Sequence, residues 1–249
     1  MIIIKNNKEI DLMRSAGKIV AETLLLIEEK VRPGITTAEL DSIAEEFITK
    51  HGARPSFKGL YGFPASLCIS VNEQVVHGIP GGYVLKDGDI VSVDCGANIN
   101  GFHGDAARTF GVGNITKEAE KLINVTRESF FRGIEYAKVG NRLTDISHEI
   151  QNCVEAAVFS VVRDFVGHGI GRVVHEDPDI PNYGPPGRGP KLVEGMALAI
   201  EPMVNAGSYK VKTLSNDWTV VTSDGSLSAH YENTIVILPD GPEILTLIR

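Results

Sequence analysis

Apolar positions follow two alternating periods along this chain. From Ile10, the residues Ile10, Met13, Gly17, Val20, Leu24 and Ile27 recur at steps of three and four, which predicts an amphipathic helix stopped by Pro33-Gly34. Thr36 and Glu39 have capping-box spacing, and Leu40, Ile43 and Phe47 mark one face of a second helix. Strand-like runs follow at 66–71 (SLCISV), 90–94 (IVSVD) and 107–112 (ARTFGV). Two more helices are expected over 118–137 and 144–158, then strands near 197–204, 218–222 and 229–238. The stretch PNYGPPGRGP at 181–190 reads as a surface loop.

This order contains a repeat. Helix, helix, strands occurs twice, the second copy about 106 residues after the first. GDIVSVD at 88–94 aligns without gaps on GMALAIE at 195–201, which sets Asp94 against Glu201, and HGI occurs in both halves. We therefore expect one α+β domain over 1–249, with related halves at about 8–112 and 118–238. The halves should face each other across a shared site.

Composition narrows the functional classes. The 249 residues suffice for a sizeable core, and 43% hydrophobic with 22% charged residues is ordinary for a globular chain. A net charge of −8 argues against nonspecific binding to nucleic acid or an anionic membrane. Cys68, Cys95 and Cys153 cannot all pair internally and fit no zinc-finger spacing, so reduced thiols in the cytoplasm are expected. The apolar start MIII is too short for a signal peptide, and no apolar run reaches membrane-spanning length.

The chemistry lies in DCGANINGFHGD at 94–105, where two carboxylates stand on core-like strands either side of a tight Asn/Gly turn. Glu201 in AIEPMV and Glu232 in AHYENTIVIL have similar apolar surroundings, and His168 sits between glycines in VGHGIG. Any one of these acids could be an exposed residue at a strand end. Four buried together would repel and be badly desolvated unless cations compensated them. Two divalent ions balance four negative charges. One imidazole with several oxygens suits Mn, Fe, Co or Zn, and two closely spaced metals are apparatus for activating water and clamping a carbonyl.

DCGANINGFHGDAARTF, GHGIGRVVHEDP, GMALAIEPMV and SAHYENTIV closely resemble the signature segments of the type I methionine aminopeptidases, which have the pita-bread fold. The resemblance runs from Lys8 to the last strand. It implies that Asp94, Asp105, His168, Glu201 and Glu232 bind two divalent metals. Asp105 and Glu232 would bridge them, Asp94 would complete one site, and His168 with Glu201 the other. The resemblance also assigns His77 in VVHGIP and His175 in VVHEDP to the scissile amide. Read without it, a histidine after two valines could be a satisfied core residue.

By the same resemblance the methionine slot would comprise the segment 57–68 with Phe57, Tyr61, Phe63 and Cys68, together with Val174 and Trp218. Taken alone, these could equally be core aromatics. Phe57 stands where the family commonly has a small cysteine, and Val174 where it has an aromatic, which leaves the pocket's shape open. The implied activity is removal of the initiator methionine from nascent chains, with small uncharged second residues preferred. Glu201 would move the water proton and the substrate α-amine would ligate a metal. The implied partners are nascent polypeptides near the ribosome exit, acting with a cytoplasmic monomer. The rivals are a related Xaa-Pro aminopeptidase and a non-catalytic protein of the same fold.

Overall fold

Asn6 and Thr36 start the two N-terminal helices by the same device. The Asn6 side chain accepts the Glu9 amide while the Glu9 carboxylate accepts the Asn6 amide, opening α1 (Asn7–Lys30). Thr36 and Glu39 exchange the same bonds at 3.1 and 2.8 Å to open α2 (Thr37–Lys50), as the capping-box spacing predicts. In this computed structural model, which describes residues 1–248, the stripe Ile10, Met13, Val20, Leu24 and Ile27 of α1 is buried. The backbone of α1 lies directly on the sheet. A Cβ on Gly17 would stand 2.3 Å from the Leu245 carbonyl oxygen, and one on Gly104 would stand 2.8 Å from the Gly17 nitrogen. Only glycine permits that approach, and Gly104 immediately precedes Asp105.

The first half continues through β1 (Arg54–Pro55), β2 (Leu67–Val71), β3 (Gln74–Val76), β4 (Ile90–Ile99) and β5 (Phe102–Gly111). The second half opens with α3 (Lys117–Ile134) and α4 (Leu143–Ala156), then β6 (Ser160–Val161), β7 (Gly167–Gly169) and β8 (Glu176–Ile180). It closes with β9 (Ala197–Ile200), β10 (Met203–Asn205), β11 (Val211–Thr213), β12 (Val220–Thr222), β13 (Ser228–His230), β14 (Asn233–Leu238) and β15 (Gly241–Ile244). The two larger sheets run β1-β4-β2, with β5 on β4, and β15-β14-β9-β7-β8; the pairings within them are antiparallel. The smaller sheets are β13-β10-β6 and β11-β12-β3.

Two departures from the sequence expectation shape the site. The strand expected over 229–238 is broken at Tyr231 and Glu232, where the chain changes partner. His230 still pairs with Met203 of β10, whereas Glu232 exchanges backbone hydrogen bonds with Ala107 of β5 at 3.0 and 3.3 Å. That exchange joins the sheets of the two halves. The second departure is Asn182, in the expected surface loop 181–190: it is fully buried, and its amide donates to the Glu201 carbonyl at 3.0 Å. Among the described residues, no helix is long and apolar enough to cross a membrane.

Candidate metal centre

The hairpin β4–β5 brings the first two acids together. Asn100 and Gly101 take positive φ of 54° and 79°, as a two-residue turn matched to strand twist requires. The register then pairs Asp94 with Ala107 and Gly96 with Asp105. Asp94 and Gly96 are two apart on one strand and share a face, and Asp105 lies opposite Gly96, so both aspartates project from the same side. Cys68 is the partner of Asp94 on β2, and a Cβ on Gly96 would meet the Phe57 ring at 2.9 Å. Both side chains therefore stand on the aspartates' face.

The second half supplies the remaining groups. Glu232 arrives by the switch to Ala107, reinforced by Arg108, whose guanidinium donates to the Glu232 carbonyl and to Asn233 Oδ1 and lies over the Tyr231 ring. Glu201 follows β9, with its backbone carbonyl held by Asn182. His168 on β7 pairs with Ala199 of β9. Its Nδ1 lies 2.8 Å from the Gly169 carbonyl oxygen, which can only accept, so Nδ1 carries the hydrogen and Nε2 is left with a lone pair. That Nε2 is 3.6 Å from Glu201 Oε1 and 4.0 Å from Asp105 Oδ2.

The arrangement is electrically incomplete. Asp94 Oδ1, Asp105 Oδ1 and Glu232 Oε1 are buried without a hydrogen-bond partner. Burial drives the Asp94 carboxyl up to about 7, and pushes Asp105, Glu201 and Glu232 well above the usual carboxylate range. Burial also lowers His168 to about 4, so this imidazole is neutral at physiological pH. Orphaned carboxylate oxygens facing a neutral imidazole lone pair are donors without acceptors of their electron density. The donor set fits divalent cations, and the groups Asp105, His168 and Glu232, and Asp94, His230 and Glu232, each offer ligand atoms within 4.8 Å of one another.

All five acids and histidines expected as ligands thus lie around one cavity of about 550 Å³. It is also lined by His77, His175, Phe57, Tyr61, Phe63, Cys68 and Trp218. His77 follows β3 with a φ of 58°, and its ring meets Phe165 edge-on. Burial lowers it to about 4. The His175 ring packs edge-on against His168, centroids 4.5 Å apart, so a histidine from each half flanks the acids. Phe57, Phe63, Cys68 and Val174 are buried in one apolar cluster with Trp218 against them, and the Phe63 and Trp218 rings meet edge to face at 5.1 Å. Tyr61 is placed differently from these. It is 77% exposed and stacks on the outer side of His175, at the rim of the slot.

One residue at the centre was not singled out from the sequence. His230 is buried among the acids, its Nε2 3.6 Å from Glu201 Oε2 and 3.8 Å from Glu232 Oε2. The signal was available, because residues 230 and 232 are two apart in the run expected as a strand, where they would share a face.

This fold and this cluster of carboxylates and imidazoles belong to a class of metal-dependent peptidases. Residues 11–239 match the model of metallopeptidase family M24, and the chain belongs to that family. It is 78% identical over 249 residues, all of both chains, to the methionine aminopeptidase of Clostridium perfringens. The crystal structure of methionine aminopeptidase from Thermotoga maritima superposes with a TM-score of 0.98 at 48% identity, covering 100% of both chains. The prolidase from Pyrococcus furiosus shares the fold with a TM-score of 0.81 at 23% identity, covering 99% of this chain and 66% of its own. The fold is the pita-bread fold expected from the sequence.

Proposed function

We propose that this metallopeptidase removes the N-terminal methionine of newly made polypeptides, using two divalent ions held by Asp94, Asp105, His168, Glu201 and Glu232. The observation that carries the reading is the shared cavity. Orphaned buried carboxylates and the apolar cluster of Phe57, Phe63, Cys68 and Trp218 line it together. Divalent ions in such a cage supply a Lewis acid for the scissile carbonyl and a water acidic enough to react near neutral pH. The oxygen-rich donor set with an imidazole suits Mn, Fe, Co or Zn.

The chain's own residues do the rest. Glu201, whose carboxyl burial pushes upward, is suited to hold the proton released as water attacks. His77 and His175 reach the cavity from opposite halves as hydrogen-bond donors to the scissile amide, where charge grows as the bond breaks. The methionine side chain fills the slot of Phe57, Phe63, Cys68 and Trp218, where dispersion with a polarizable sulfur favours it over a charged side chain. Tyr61 at the rim is placed to crowd the second residue, which favours Gly, Ala or Ser there. We read the chain as one domain whose two halves each contribute acids, acting as a cytoplasmic monomer on chains emerging near the ribosome.

The test is release of methionine from Met-Ala-Ser alongside Ala-Pro peptides. Cleavage of the first and not of the second is expected. Preference for Ala-Pro would assign the chain to Xaa-Pro hydrolysis, and no cleavage by metal-loaded protein would assign it to binding alone.

A further inference from the structure

His230 points into the cage with nothing to do. It is 2% exposed, and its Nε2 has no hydrogen-bond partner. The nearest carboxylate oxygens, on Glu201 and Glu232, lie 3.6 and 3.8 Å away, beyond hydrogen-bond reach. Two donors bound to one ion, each about 2 Å from it, stand roughly 3 to 4 Å apart. The spacing is therefore that of ligands around a shared ion.

The strand holds this imidazole firmly in place. The His230 amide donates to Thr109 Oγ1 at 2.9 Å, Thr109 Oγ1 donates to the His230 carbonyl at 2.9 Å, and Ser92 Oγ lies 2.8 Å from the same hydroxyl. Since Thr109 has spent its hydrogen, Ser92 is the donor there. These bonds fix the backbone from which the imidazole projects, and the ring itself is buried among the acids. Asp94, His230 and Glu232 can present ligand atoms within 4.8 Å of one another, just as Asp105, His168 and Glu232 can. Each candidate ion position then has one imidazole and shares Glu232.

We propose that His230 is a sixth protein ligand, with Nε2 bound to the ion that Asp94 and Glu232 hold. This rests on the two-ion reading above and adds to it that neither ion is held by carboxylates alone. A nitrogen donor in the Asp94 position shifts its preference toward Fe, Co or Zn and away from Mg or Mn.

The test uses the full-length protein stripped of metal and titrated with Co(II). Each imidazole bound to paramagnetic cobalt gives one hyperfine-shifted, solvent-exchangeable N–H resonance in the proton NMR spectrum. Two such resonances are expected at two equivalents of cobalt, from His168 and His230, and one in His230→Gln. Calorimetry of the same pair should show the affinity of one binding step falling at least tenfold. One resonance in the native protein, with hydrolysis of Met-Ala-Ser intact, would overturn this proposal and leave the peptidase reading standing. No uptake of cobalt would overturn both. The count in the native protein does not depend on how well the variant folds.

Discussion

Thr234 Oγ1 accepts the Asp105 amide and donates to the Asp105 carbonyl, each at 2.9 Å. A hydroxyl from the last long strand thus grips the backbone of a metal-ligand candidate in the other half. Thr234 is fully buried, so Thr234→Val keeps the volume and leaves both backbone groups unpaired. We expect a loss of about 2 to 3 kcal/mol in unfolding free energy by denaturant titration, together with weaker metal binding. Unchanged stability would mean that the backbone of Asp105 is held by other means.

The cage gives the metal-free protein an unusual pH dependence. Asp94, Asp105, Glu201 and Glu232 have carboxyls raised by burial, Asp94 to about 7. The folded state therefore keeps protons that the unfolded chain has released, and stability falls as pH rises from about 4 through the folded values. His77, His168 and His230 are lowered by burial to about 4, so they act oppositely, adding stability between about 4 and 6.5. The trends oppose each other below 6.5, and above it only the carboxyls still titrate. Melting temperature of metal-free protein should drop from pH 6.5 to 8, and metal should abolish the drop. A flat profile without metal would contradict the clustered acids.

His77 is proposed to strengthen its contact as the amide breaks, which predicts a specific kinetic signature. His77→Ala should lower kcat by about 100-fold and change KM little. Steady-state kinetics on Met-Ala-Ser would return His77 to a packing role if kcat survived.

Much of this was legible because local rules and tertiary structure agree. The capping pairs Asn6–Glu9 and Thr36–Glu39 fix helix starts through their own side chains, the second at the spacing the sequence predicts. The Asn100-Gly101 turn fixes the hairpin register, and with it the shared face of Asp94 and Asp105. What escaped depends on partners distant in sequence. Asn182 looks like a loop residue until the buried Glu201 carbonyl demands a donor. The break at Tyr231 and Glu232 accompanies the exchange of backbone hydrogen bonds between Glu232 and Ala107, more than a hundred residues earlier. Strands as short as β3, β6 and β7 span two or three residues and carry no period to read.

The slot predicts specificity. In the proposed slot, where the Phe63 and Trp218 rings meet, the thioether would be held by dispersion, so a peptide beginning with norleucine should still be cut, about tenfold more slowly than one beginning with methionine. An N-terminal lysine would bury its charge and should be refused. At the second position, Met-Ala-Ser should far outpace Met-Lys-Ser. Equal kcat/KM for those two peptides would mean that Tyr61 and its neighbours do not crowd the entrance.

The claim that the buried acids exist to hold divalent ions is tested most directly by stripping the protein with a chelator and restoring single metals. Methionine release from Met-Ala-Ser should vanish on stripping and return with Mn, Fe, Co or Zn. The melting curve should rise in step, by about 2.7 kcal/mol of stabilisation at a hundredfold excess over the dissociation constant. Full activity in strong chelator, or a melting curve indifferent to every metal, would contradict the account.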